Sequence, residues 1–167
     1  METVIQKAVE LGAAEIVPVA SSRCVVRLDE KKAASKVKRW NSIAGSAAEQ
    51  SKRMIVPSVH EVLSFDDALD YARSLGCGHP DGPLLLIPYE KESGMRGTKA
   101  AFDSLAPGRP VCVLIGPEGG FDEREVEKAE GAGFVPISLG SRILRTETAG
   151  MTALSILMYL LELQTGL

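Results

Sequence analysis

Two short stretches hold the residues best suited to chemistry. The first, GPEGG at 116–120, sets three glycines around a proline and one carboxylate, Glu118, directly after the apolar run VCVLI. The second, LGSRILRTETAG at 139–150, packs Arg142, Arg145, Thr146 and Thr148 between an apolar run and a long hydrophobic stretch. A glycine turn holds phosphate when it ends in Gly-Lys-Ser/Thr, and a dinucleotide when it is spaced GxGxxG with an acid about twenty residues on. Gly116, Gly119 and Gly120 match neither pattern, and the next apolar run, FVPISLG, carries no acid. Two readings stay open for this turn: a tight strand-to-helix connection that needs glycine, or the floor of a ligand site at the carboxyl end of a buried strand. A second irregular loop leaving another strand favours the ligand site.

The elements that must position these loops are legible around them. Asp122 stands where an N-cap belongs, Glu125 follows three residues later as in a capping box, and Phe121 and Val126 occupy staple positions. After the second loop, Thr146 or Thr148 is expected to cap a long terminal helix. Its polar residues Thr152, Ser155, Tyr159 and Glu162 form one narrow stripe. Such a helix should lie against the sheet on one side and against another helix, from this chain or a second subunit, on the other. Upstream, Val4, Ala8 and Leu11 repeat at helical spacing and Gly12 follows as a left-handed cap. EIVPV reads as a short strand in which Pro18 signals an edge or a bulge. A second helix, carrying Val37, Trp40, Ala44 and Ala47 on one seam, runs from Lys31 to about Ser51. MIVPSV and LLLIPY read as strands around the helical stretch FDDALDYARSL, and GCGHPDG as a loop. Strands alternate with helices throughout, which predicts a layered α/β domain with a parallel sheet and flanking helices.

Bulk numbers narrow the classes. A chain of 167 residues, 45% hydrophobic, is expected to form one domain over residues 1–167. The net charge of −3 gives no sign of a globally basic nucleic-acid binder, so any RNA contact must be local. Cys24, Cys77 and Cys112 are odd in number and lack metal-ligand spacing, which fits a reducing cytoplasm. His60 and His79 stand alone, so no metal is expected. No export signal or membrane span is read from the first twenty residues or the terminal helix.

Taken together, IGPEGGF and LGSRILRTETA, with IQKAVELGA near the start and AAEQSKR in the middle, resemble the ribosomal RNA small-subunit methyltransferase E family, over nearly the whole chain. That family belongs to the SPOUT class and methylates N3 of a uridine in 16S rRNA. The resemblance implies a C-terminal trefoil knot, a homodimer, and S-adenosyl-L-methionine bent among the knot loops with its adenine held by main-chain groups. Carried over residue by residue, it implies cofactor contacts from Leu114, Ile115, Gly116, Pro117, Glu118 and Gly119, and from Leu139, Gly140, Ile143, Leu144, Arg145, Thr146 and Thr148. Ile143 and Leu144 read equally well as core.

For the reaction, the resemblance points to Arg145, Glu118 and Arg53. Glu118 and Glu147 are the candidates for taking the N3 proton, and an arginine would stabilise charge on the uracil oxygens or hold a phosphate. Glu49, Gln50, Arg53 and Arg142 are the substrate-facing candidates, the first three across a dimer interface or else at a solvated helix end. The lysines and arginine at 31, 32, 36, 38 and 39 read as a solvated face. Family members usually carry an N-terminal β-barrel that grips RNA, and this chain is expected to lack it. The alternative function is therefore a dimeric cofactor-binding fragment without RNA methylation.

Overall fold

The computed structural model describes residues 1–24, 30–76, 78–92 and 94–166; Cys77 lies outside them. The chain runs α1 (Glu2–Glu10), β1 (Glu15–Ile16), β2 (Val19–Ala20), α2 (Glu30–Gln50), β3 (Ser58–Val59), β4 (Leu63–Ser64) and α3 (Phe65–Ser74). It continues through β5 (Leu84–Pro88), α4 (Arg96–Asp103), β6 (Val111–Val113), α5 (Glu123–Gly131), β7 (Val135–Ile137) and α6 (Thr146–Thr165). Every strand pair is parallel: β1 with β3, β2 with β4, and a three-stranded sheet in the order β6-β5-β7.

The central strand explains the layers. LLLIP is apolar without alternation because both of its faces are covered. Leu84 and Leu86 turn to one face, where they meet Ala101 of α4, Ile137 of β7 and Leu157 of α6. Leu85 and Ile87 turn to the other, against Phe65 and Leu69 of α3 and Val126 and Ala129 of α5. A third cluster joins α1, α2 and β3 through Ile5, Val9, Trp40, Ala44 and Val59.

Pro18 has the effect expected of it. Ile16 pairs with Val59 and Val19 with Leu63, so three steps on one chain face four on the other, a bulge where proline supplies no amide. The carbonyl of Pro18 still accepts from the Leu63 amide at 3.0 Å. The expected strand at MIVPSV is shorter than read: only Ser58 and Val59 pair, while Met54, Ile55 and Val56 are 98%, 71% and 54% exposed. Pro57, which cannot donate to a ladder, marks the break. The helix α4 went unread, since Gly97 interrupts an already short apolar pattern.

The terminal helix is less covered than its narrow stripe suggests: Leu163 is 63% exposed, and Leu154, Ile156, Leu160 and Leu161 are only half-buried. Ser155, Tyr159 and Glu162 are exposed, whereas Ala153 and Leu157 are buried. The second helix beside it is α1 of the same chain. Gly12, with φ +97°, makes that approach close: a Cβ there would fall 2.7 Å from Cε of Met158. One expectation is corrected. Arg145, in extended conformation, is the N-cap of α6 and no side chain caps it. Thr146 and Thr148 lie within the first turn, too far along to accept from its free amides.

Candidate active site

The capping box at α5 is fully formed. Asp122 accepts from the Arg124 amide at 3.1 Å, and Glu125 Oε2 accepts from the Asp122 amide at 3.0 Å. The Arg124 amide and the guanidinium of Arg23 hold the Asp122 carboxyl below the ordinary carboxylate range. With the helix start held, the chain between β6 and α5 must turn within a few residues. Gly120 adopts φ +67°, and a Cβ there would fall 2.9 Å from Oε1 of Glu90. The angle favours glycine, and any side chain there would also push the Glu90 carboxylate aside.

Around that turn lies a cleft of ≈ 680 Å³, within the range of small-molecule sites. Its walls come from the three chain segments leaving the carboxyl ends of β5, β6 and β7: residues 88–90 and 92, 115–121, and 138–147 with 149. From β5 the chain moves to β6 on one side and then back across to β7 on the other. The cleft therefore sits where strand order reverses, the place at which open α/β sheets bind ligands.

The expected site residues divide into three groups. Ile115, Gly116, Pro117, Glu118 and Gly119 from the first loop, and Leu139, Gly140, Arg142, Ile143, Leu144, Arg145 and Thr146 from the second, line this one cleft. Ile143 is 89% exposed and so is no part of the core. Leu114 sits one step too early: it is buried among Leu85, Phe121 and Val126, and its amide donates to the Leu86 carbonyl at 2.8 Å. Thr148 is exposed on α6 and does not line the cleft. The third group lies at the end of α2. Arg53 donates to the carbonyls of Val9, Ala13 and Gly12 at 2.9, 2.7 and 3.4 Å, closing the end of α1. Glu49 is exposed beside it, and Gln50 borders a shallow depression with Gln6, Lys7 and Glu10.

Sequence reasoning missed the β5 wall, namely Tyr89, Glu90 and Glu92, and also Ser138. The signal was present, since LLLIPYE ends an apolar run of the same kind as VCVLIG. Ser138 is held from behind: its amide donates to Oγ1 of Thr98 at 2.8 Å and its carbonyl accepts from the same hydroxyl at 3.3 Å. Among the described residues neither Arg142 nor Arg145 has a hydrogen-bond or ion-pair partner, and no group of three His, Cys, Asp or Glu is placed to hold a metal. The arrangement offers two free guanidiniums, several carboxylates and glycine backbone around a space open to solvent.

A parallel sheet with a cleft at its switch point defines a ligand-binding class of α/β protein, and the comparisons make the class specific. The sequence profile of the RNA methyltransferase domain matches residues 1–158, and the chain belongs to that family. It is 43% identical to the ribosomal RNA small subunit methyltransferase E of Bacillus subtilis, over 99% of this chain and 63% of that protein. It is 37% identical to the enzyme of the same name from Mesomycoplasma hyopneumoniae, over 92% and 62%. The chain thus spans under two thirds of these relatives' length. Two solved structures superpose on it. A ribosomal RNA small subunit methyltransferase E from Neisseria gonorrhoeae, bound to S-adenosyl methionine, has a TM-score of 0.78 at 38% identity, over 96% of this chain and 60% of its own. A putative methyltransferase from Legionella pneumophila, in complex with the same cofactor, scores 0.80 at 37% identity, over 95% and 60%.

Proposed function

We propose that this domain binds S-adenosylmethionine in the cleft and transfers its methyl group to N3 of a uridine in the 16S rRNA of the small ribosomal subunit. The observation that carries the reading is the meeting of the 115–121 turn and the 138–147 loop in one cleft at the switch point. The names of the matched relatives supply the RNA class. The lining suits a cationic sulfonium because its carboxylates, Glu90, Glu92, Glu118 and Glu147, outnumber its guanidiniums, Arg142 and Arg145. When bound, the cofactor supplies an electrophilic methyl.

The work assigned to this chain's residues is placement and charge. Holding donor and acceptor in line contributes roughly 7 to 11 kcal/mol to such a displacement. Arg145, with Arg142 near it in the loop, is assigned the negative charge that builds on the uracil oxygens or on a neighbouring phosphate. Glu118, or Glu147 beside Arg145, takes the N3 proton, a contribution of about 10²- to 10⁴-fold. Ile115, Gly116, Pro117, Gly119, Leu139, Gly140, Leu144 and Thr146 form the cofactor's bed.

Glu49, Gln50 and Arg53 stand outside this cleft, and the proposal gives them to RNA bound across a homodimer. It also includes the trefoil knot that the family resemblance implies, and work in the cytoplasm, supported by the cysteine pattern and the rRNA substrate. Among the described residues no helix is long and apolar enough to cross a membrane. Incubating the protein with small ribosomal subunits and methyl-labelled cofactor should place label on one uridine N3. Because the matched relatives are longer than the aligned region, the second reading is a domain that binds cofactor without turning over RNA alone. Calorimetric heat without labelled product decides for it.

A further inference from the structure

The glycine turn is gripped from outside by the segment that follows β2. Arg23 donates from Nη1 to the carbonyl of Gly119 at 3.2 Å and from Nη2 to Oδ2 of Asp122 at 3.0 Å. One residue earlier, the Ser22 amide donates to Oε1 of Glu125 at 2.8 Å. Glu125, only 7% exposed, thus closes its own capping box with one oxygen and ties down Ser22 with the other. These bonds span 96 to 103 positions of sequence. Nothing local in the turn demands them, since Gly120 already bonds to the Pro117 carbonyl at 2.9 Å. The arginine stem lies directly over the turn: a Cβ built on Gly119 would be in ordinary contact with Arg23 Cβ at 3.5 Å.

We propose that Arg23 is a positioning residue for the cofactor turn, fixing the Gly119 carbonyl and the Asp122 cap so that docking of residues 22–23 and occupation of the cleft favour each other. The inference rests on the cofactor reading of the cleft. The Arg23–Asp122 pair is 48% and 39% exposed, so it contributes little to global stability. What it decides is where the Gly119 carbonyl and the first turn of α5 stand. Any ligand that needs the turn in this place strengthens the grip, and the grip strengthens the ligand by the same factor. Salt weakens both, because the pair is open to screening.

The test is titration calorimetry with S-adenosylmethionine on the full chain, with amide hydrogen exchange at residues 116–122 measured in the unliganded protein. R23A is expected to raise Kd about tenfold, to speed exchange across the turn, and to leave the thermal midpoint within about 2 °C. R23K is expected to fall between, since one ammonium cannot serve carbonyl and carboxylate as a guanidinium fork does. R73A, which removes an exposed pair on α3, should change neither reading. Equal Kd and equal exchange in wild type and R23A overturn the proposal. If wild type takes up no S-adenosylmethionine, the cofactor reading fails by itself, and exchange still decides the clamp: faster exchange at 116–122 in R23A supports it and unchanged exchange overturns it. Should R23A fail to fold, R23K is read by the same two outcomes.

Discussion

The sequence marks Arg145 and Arg53 alike as candidates for the reaction, yet they occupy opposite situations. Arg145 is exposed at the cleft with no partner among the described residues, so R145A should fold normally while methyl transfer falls by about 10²- to 10³-fold. Retained turnover in an assay on small subunits removes it from the reaction. Arg53 has its guanidinium committed to three carbonyls at the end of α1. R53A should therefore cost about 1–3 kcal/mol in denaturant unfolding whether or not it also affects RNA. Titration offers a further check. Burial, then the hydrogen bond and charge of Glu15, push the Tyr71 hydroxyl up to about 12, and burial pushes the Cys112 thiol up to about 11. Both folded-state values lie above the ordinary ones of 10.0 and 9.0, so each group's contribution is whole below its ordinary value and is lost as pH rises through its folded one. Thermal stability should decline from about pH 9 to about pH 12, and Y71F should flatten the upper part of that decline.

At the scale of elements, two joints aim the loops. Thr98 on α4, 1% exposed, both donates to and accepts from the backbone of Ser138, which leads into the second cleft loop. T98V should cost about 1–3 kcal/mol by leaving those groups unpaired, and T98S should recover most of it. The other joint is the start of α5, where D122A removes a cap worth about 0.5–2 kcal/mol. A circular-dichroism melt reads both. The α5 start was legible because capping is local: Asp122, Glu125, Phe121 and Val126 sit within six positions of each other. The Thr98 joint was not, since it links residues forty apart through a helix whose own pattern is weak. The expected threonine cap on α6 failed for a related reason. A side chain suited to a cap says little about which residue of a loop the helix begins on.

For the whole molecule, the proposed homodimer sets the mass expected in solution. Light scattering should give about twice the 17.8 kDa of one chain, and a monomer would leave Glu49, Gln50 and Arg53 without the RNA role proposed for them. The proposed knot would have its own mechanical signature. Pulled by both ends, a knotted chain should lengthen by less than its full contour, and full extension would exclude the knot. By itself the sequence determined what depends on neighbours along the chain: the buried strands, the tightly capped α5, the unsuitability of the glycine turn for phosphate, and the two motifs that mark the family. Tertiary structure alone decided what depends on distant segments. It placed Glu90 and Tyr89 on a third wall of the cleft, moved Leu114 into the core, turned Arg53 onto the end of α1, and laid Arg23 across the Gly119 carbonyl. Periodicity and capping act over a turn or two of backbone, whereas the order β6-β5-β7, which makes the cleft, is settled by which faces of separate elements can be buried together.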